Sequence, residues 1–204
     1  PQIREVPLVY TGQCTFAPVH GGFSAQQHQN HPFFVHLLSH SPEYSGETDG
    51  TAVVTMPYVS MDITDSAAVE KTITESGADV VIHCAAWTAV DLAEDEDKID
   101  KVRAINAGGT QNIANVCKKL DCKMVYISTD YVFDGQGDKP WEPDCKDYAP
   151  LNVYGQTKYE GELAVQENVE KHFIVRIAWV FGVNGKNFIK TMINVGKTHD
   201  EVRV

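Results

Sequence analysis

The sequence predicts an α/β protein built on a doubly wound parallel sheet, and three observations carry that prediction. Short apolar runs rich in β-branched residues recur at 79–86, 123–129 and 173–180. Longer segments with apolar residues at helical spacing lie between them. The runs are nearly continuous rather than alternating, which suits strands buried on both faces by covering helices.

Taken in order, Tyr58 to Ile63 reads as a strand, and Asp65 or Ser66 can cap a helix running through Ser76. Asp79 to Ala86 is the next strand. An acidic stretch, Asp91 to Asp97, leads into a helix ending near Leu120, with Ile99, Val102, Ile105, Ile113, Val116 and Leu120 at helical spacings. The Gly108-Gly109 pair inside it lowers helix stability and permits close packing. Lys123 to Thr129 is a strand, followed by a loop rich in Gly, Pro and Asp to Pro150. A helix then carries Tyr154 and Lys158. Phe173 to Val180 is a further strand, and Asn187 to Val195 opens another helix. Such alternation gives a parallel sheet with right-handed crossovers, and the strands holding Val81, Val125 and Val175 are expected in its interior. Residues 1–42 differ. They contain one acid and one base, Glu5 and Arg4, and five of the eight histidines, His20, His28, His31, His36 and His40. No period of 2 or 3.6 is visible past Tyr10. The chain therefore divides into an atypical segment, 1–42, and a sheet domain, 43–204.

With 204 residues, 43% of them hydrophobic, the chain can bury a substantial core. Its formal net charge of −11 argues against nucleic acid or an anionic membrane as partner, and no 18-residue apolar run is long enough to span a bilayer. The five cysteines, Cys14, Cys84, Cys117, Cys122 and Cys145, are odd in number and lack C-x-x-C spacing. That usage suits a reducing cytoplasm. No metal site is expected, because no H-x-x-x-H pair accompanies a carboxylate.

The chemistry is concentrated in two places. Tyr154 and Lys158 are four apart and share a helix face. An ammonium about 4 Å from a phenol, at an effective dielectric of about 20, is worth roughly 4 kcal/mol, enough to bring a phenol pKa from about 10 to roughly 7. Such a tyrosine can exchange a proton with a carbinol oxygen near neutral pH. Tyr-x-x-x-Lys alone arises readily by chance. Its context adds weight: the strand Met124 to Thr129 delivers Ser128 and Thr129 to its carboxyl end, where open α/β sheets bind ligands. A hydroxyl there and a Tyr/Lys pair on the next helix make a site for a carbonyl oxygen.

With strand, hydroxyls and pair in place, the chain resembles the extended short-chain dehydrogenase/reductases, and among them the branch that reduces dTDP-4-keto-6-deoxy sugars on the way to dTDP-rhamnose. The resemblance rests on His83-Cys84-Ala85-Ala86-Trp87-Thr88-Ala89-Val90-Asp91, Ile105 to Thr110, Ile127 to Gly135, Tyr154 to Lys158, and Arg176 to Gly182. It implies a Rossmann-like domain, incomplete at both ends, that reduces dTDP-4-dehydro-6-deoxy-L-mannose to dTDP-L-rhamnose with NADP or NAD, NADPH being favoured. It implies Tyr154 as the acid at the C4 carbonyl oxygen. Lys158 would lower its pKa and hold the nicotinamide ribose, and Thr129 would hydrogen-bond the same oxygen. Tyr131 and Trp179 would border the sugar nucleotide, Asp62 and Ile63 would lie near adenine, Ala85 and Ala86 would allow close cofactor approach, and Thr88 and Asn106 would line the site. A homodimer is compatible with it. Two other readings stay open: a catalytically idle regulatory module, such as the regulatory subunit of methionine adenosyltransferase, and another sugar-nucleotide epimerase or dehydratase.

The sequence departs from the family pattern at its start. The nearest echo of a G-x-x-G-x-x-G turn is Leu8 to Gly12, but the positions three and six further on are Thr15 and Pro18. A Cβ blocks close backbone approach there and proline removes a donor. Weak pyrophosphate binding and little turnover by this chain alone are the expectation, and the family continues beyond the position of Val204.

Overall fold

The computed structural model describes residues 35–38, 61–182, 187–199 and 201, the first four as backbone only. Four strands form one sheet in the order β1-β2-β3-β4: β1 (Val35–Leu38), β2 (Val80–His83), β3 (Lys123–Thr129) and β4 (His172–Ile177). β2 is parallel to β3 and β3 to β4, with Val81 opposite Met124 and Tyr126 opposite Ile174. β1, which falls inside the segment set apart as atypical, runs antiparallel to β2 with Val35 opposite His83.

Among the described residues five α-helices accompany the strands: α1 (Ser66–Ser76), α2 (Ile99–Arg103), α3 (Thr110–Leu120), α4 (Val153–Asn168) and α5 (Phe188–Gly196). Asp65 caps α1, its carboxylate accepting from the Ala67 and Ala68 amides, and Gly77 in the left-handed region ends it. α1 packs against α3, α3 against α4, and α4 lies on β3. The core fills the space between: Val69 and Ile73 of α1, Ile113 and Cys117 of α3, Val165 of α4, and Val81, Met124 and Tyr126 from the sheet.

Two expectations are corrected, and a third falls partly outside the described residues. The helix over 97–120 is not uniform, because Ala104–Gly109 forms a π turn between α2 and α3. Gly109 there lies against Ile63, and a Cβ would stand 2.5 Å from the Ile63 Cδ1 atom, so the close packing read from Gly108-Gly109 belongs to Gly109. Val81 and Val125 lie in interior strands, but Val175 lies in β4, an edge strand among the described residues. Phe173 and Val175 are exposed, at 69% and 40%, because no described element covers that face. Finally, residues 58–60 of the first expected strand lie outside the described residues. At 61–65 the chain turns instead, the Asp62 carboxylate accepting from the Thr64 amide (2.9 Å) and hydroxyl (2.8 Å). Residues 11–18, with the missing glycine turn, and Cys14 also lie outside the described residues.

Candidate active site

The site lies at the carboxyl ends of β2 and β3, against the first turns of α4. Thr129 is the last residue of β3 and is buried. Its hydroxyl donates to the Asp130 carboxylate (3.0 Å) and accepts from the Tyr131 amide (3.2 Å). α4 begins there because Asn152 is extended and its side-chain oxygen accepts from the Gly155 amide (2.7 Å). Glu94, from the short 3₁₀ turn Asp91–Glu94, adds a second cap by accepting from the Val153 amide (2.7 Å). Position 155 must be glycine, since a Cβ would run into the backbone carbonyl of Tyr131. Tyr154, half-buried, is thereby held beside Tyr131, the rings meeting edge to face at 5.7 Å and 77°.

Lys158 is fully inside the protein. Its Nζ donates to the Ile127 carbonyl (2.7 Å) and sits 4.0 Å from the centre of the Tyr126 ring. Burial brings its pKa down to about 7, opposed chiefly by the Glu162 carboxylate one turn along the helix. Around it, burial holds His83 down at about 3 and Cys84 up at about 11, and pushes the Tyr126 phenol up, so these neighbours are uncharged at neutral pH.

Asn106, in the π turn, is fully buried and ties two elements together. Its oxygen accepts from the Trp87 amide (2.7 Å), and its nitrogen donates to the Trp87 carbonyl (3.3 Å) and to the Thr157 hydroxyl on α4 (3.1 Å). This fixes the extended stretch after β2, where Ala85 is buried, Ala86 half-buried and Thr88 exposed. Asp62 is exposed, and its hydrogen bond from the Thr64 amide lowers its pKa, whereas the Ile63 side chain is in the core. Trp179 is exposed after β4 with a left-handed φ of 49° and packs on Phe188.

The structure thus brings Thr129, Tyr131, Tyr154, Lys158 and Asn106 into one region. Ile63 serves packing through its side chain, and Trp179 stands on a separate segment. Sequence reasoning passed over Glu94, the Asn152 cap and Glu162. Glu162 was detectable as the next i+4 position after Lys158; Glu94 was not, since it meets α4 from 59 residues away.

Parallel strands with covering helices, a hydroxyl at a strand end and a buried lysine following a tyrosine on the next helix place the chain in the Rossmann-like class of α/β folds. The chain belongs to the family described as the RmlD substrate binding domain, whose model matches residues 43–204. It is similar to a dTDP-4-dehydrorhamnose reductase of Streptomyces griseus, 41% identical over 156 residues that cover 76% of this chain and 50% of that protein. Among solved structures it is similar to the dTDP-4-dehydrorhamnose reductase of Clostridium acetobutylicum (47% identity, TM-score 0.65, 70% of this chain and 50% of that one). That of Bacillus anthracis, in complex with NADP, is 43% identical with a TM-score of 0.63, over 68% of this chain and 48% of that one. The chain spans about half the length of the curated relatives it matches.

Proposed function

We propose that the chain carries the Tyr/Lys half of a dTDP-4-dehydrorhamnose reductase, which reduces dTDP-4-dehydro-6-deoxy-L-mannose to dTDP-L-rhamnose with NAD(P)H. The carrying observation is the convergence of Thr129, Tyr154 and Lys158 at the carboxyl edge of the parallel sheet. The residues present fit a nicotinamide cofactor: small Ala85 and Ala86 follow β2, and a buried lysine stands at the neighbouring strand end. NADPH is favoured because a relative 43% identical was solved with NADP. When bound, the cofactor supplies the hydride.

The chain's own part is to hold and move a proton. Tyr154 donates from its phenol oxygen to the C4 oxygen. Lys158, as an ammonium, stabilises the phenolate left behind and hydrogen-bonds the ribose. Thr129 orients the C4 oxygen by hydrogen bonding. Tyr131 and Trp179 would border the sugar nucleotide, Asp62 would lie toward adenine and Thr88 would line the path between, while the fully buried Ile63 and Asn106 would support that path from behind, Asn106 by holding the Trp87 backbone. Residues 43–204 form the domain that does this, acting in the cytoplasm; the described cysteines, Cys84, Cys117, Cys122 and Cys145, are free thiols, which accords with that setting. Among the described residues no helix is long and apolar enough to cross a membrane.

The test joins this chain to the glycine-rich turn and carboxyl-terminal part of a relative and follows NADPH consumption with dTDP-4-dehydro-6-deoxy-L-mannose. Turnover is expected, with kcat falling by roughly 10²–10⁴ in Tyr154→Phe while NADPH binding changes little. The 204-residue chain alone is expected to turn over slowly. An inactive chimera that binds NADPH would overturn the substrate assignment, and an active Phe variant would overturn the role of Tyr154.

A further inference from the structure

Lys158 and Glu162 stand one turn apart on α4 and are both inside the protein, at 2% and 0% exposure, so they share its inward face. The Glu162 carboxylate cannot swing away. Arg176 of β4 grips it with two bonds, Nε to Oε1 at 2.9 Å and Nη2 to Oε2 at 2.7 Å. Arg176 is itself packed on the rings of Phe133 (5.2 Å) and Tyr148 (5.1 Å) and donates to the Tyr148 hydroxyl (2.9 Å). A bidentate pair of this kind fixes geometry as well as charge.

We propose that Glu162 is a positioning residue of this site: its carboxylate, braced by Arg176, is the counter-charge that keeps the Lys158 side chain an ammonium ion. The inference rests on the reductase reading for its meaning, since a neutral amine cannot stabilise the Tyr154 phenolate. The groups around Lys158 are His83 and Cys84 from the end of β2, Tyr126 from β3 and Glu162 from α4, with Arg176 of β4 behind Glu162 and Tyr154 one turn back along the same helix. Burial keeps His83, Cys84 and Tyr126 neutral. Among the described residues Glu162 is the fully buried carboxylate; it makes no direct ion pair with Lys158, whose Nζ bonds the Ile127 carbonyl, and it favours the charged lysine from one helical turn away against the burial that disfavours it.

Lysine Cε NMR on the isotope-labelled full chain tests this without reference to turnover, with the Lys158 resonance identified by its loss in Lys158→Arg. The expected midpoint is near neutral in the wild type and lower by about one pH unit or more in Glu162→Gln. The double variant Glu162→Gln/Arg176→Met, which leaves no stranded guanidinium, should shift the same way. Tyr148→Phe, which keeps the carboxylate, should leave the midpoint in place. In the wild type, with no substitution needed, the Glu162 Cδ resonance should step at the Lys158 midpoint. A purely structural Glu162 would lower stability in these variants without moving the midpoint. An unmoved midpoint in the folded double variant, or no step at Glu162 in the wild type, would overturn the proposal. Failure of the NADPH assay would sink the reductase reading and leave the titration standing.

Discussion

At the residue scale, two buried bases set how the protein responds to pH. Unfolded, Lys158 binds its proton below about 10.5; folded, only below about 7. Between those values unfolding takes up a proton, so lowering the pH favours the unfolded chain and the penalty is complete below about 7. Lys158→Met should therefore be at least as stable as the wild type in urea titrations at pH 7, by an amount on the order of a few kcal/mol. The gap should close as pH rises toward 10.5. His83 acts lower. Its Nε2 bonds the Thr110 hydroxyl at 3.0 Å while its Nδ1 has no hydrogen-bond partner among the described residues, and its proton is refused until about pH 3 against 6.5 unfolded. Stability should fall by about 1.4 kcal/mol per pH unit below 6.5, or roughly 2 kcal/mol by pH 5. His83→Asn should show a shallower acid limb in the same titrations. If the two proteins lose stability in parallel, His83 is not the group responsible.

At the element scale, α4 is placed by what it lacks. Gly155 meets the Tyr131 carbonyl and Gly161 the Asn106 carbonyl, where a Cβ would stand at 2.9 Å. In Gly155→Ala the new methyl meets the Tyr131 backbone carbonyl first and crowds the capping Asn152 oxygen at 3.2 Å, so it should move the start of α4. We expect a loss of about 1–3 kcal/mol, a drop in kcat in the chimera proposed for the NADPH assay, and loss of the edge-to-face contact of Tyr131 and Tyr154, all checkable by denaturation, kinetics and crystallography. Much of this architecture was legible in the sequence. The Asp65 cap, the Lys123–Thr129 strand and the helix over Tyr154 and Lys158 each depend on neighbours within a few positions, and local chemistry specifies them. The π turn was not legible, because its extra residue leaves the apolar spacings of Ile99, Val102, Ile105 and Ile113 readable as ordinary helix. Nor were the Arg176 grip on Glu162 and the Glu94 cap on α4, which join elements whose approach only the tertiary fold decides. The edge position of β4 escaped because a continuous apolar run looks the same whether or not a neighbour covers it.

At the scale of the whole molecule, several large apolar side chains stay at the surface. Phe173 and Val175 of β4, Trp179 and Phe181 after it, and Ile189 and Ile193 of α5 are all exposed among the described residues. Exposed apolar side chains of this size favour association with other apolar surfaces. The 204-residue chain should bind a hydrophobic dye and associate with rising concentration, and Phe173→Lys should reduce both in light-scattering and fluorescence measurements. A monodisperse chain that ignores the dye would show that these side chains are covered. The π turn at Ala104–Gly109 also acts across the molecule, as an insertion would. Each residue turns a helix by about 100°, so excising Gly108 should merge α2 and α3 into one regular helix by rotating one half against the other. Trp87, whose amide is held by Asn106 at 2.7 Å, would lose its acceptor. The deletion should then yield a longer regular helix by circular dichroism and, in the same protein, faster deuterium uptake at the Trp87 amide, more than 20 residues upstream of the excised position.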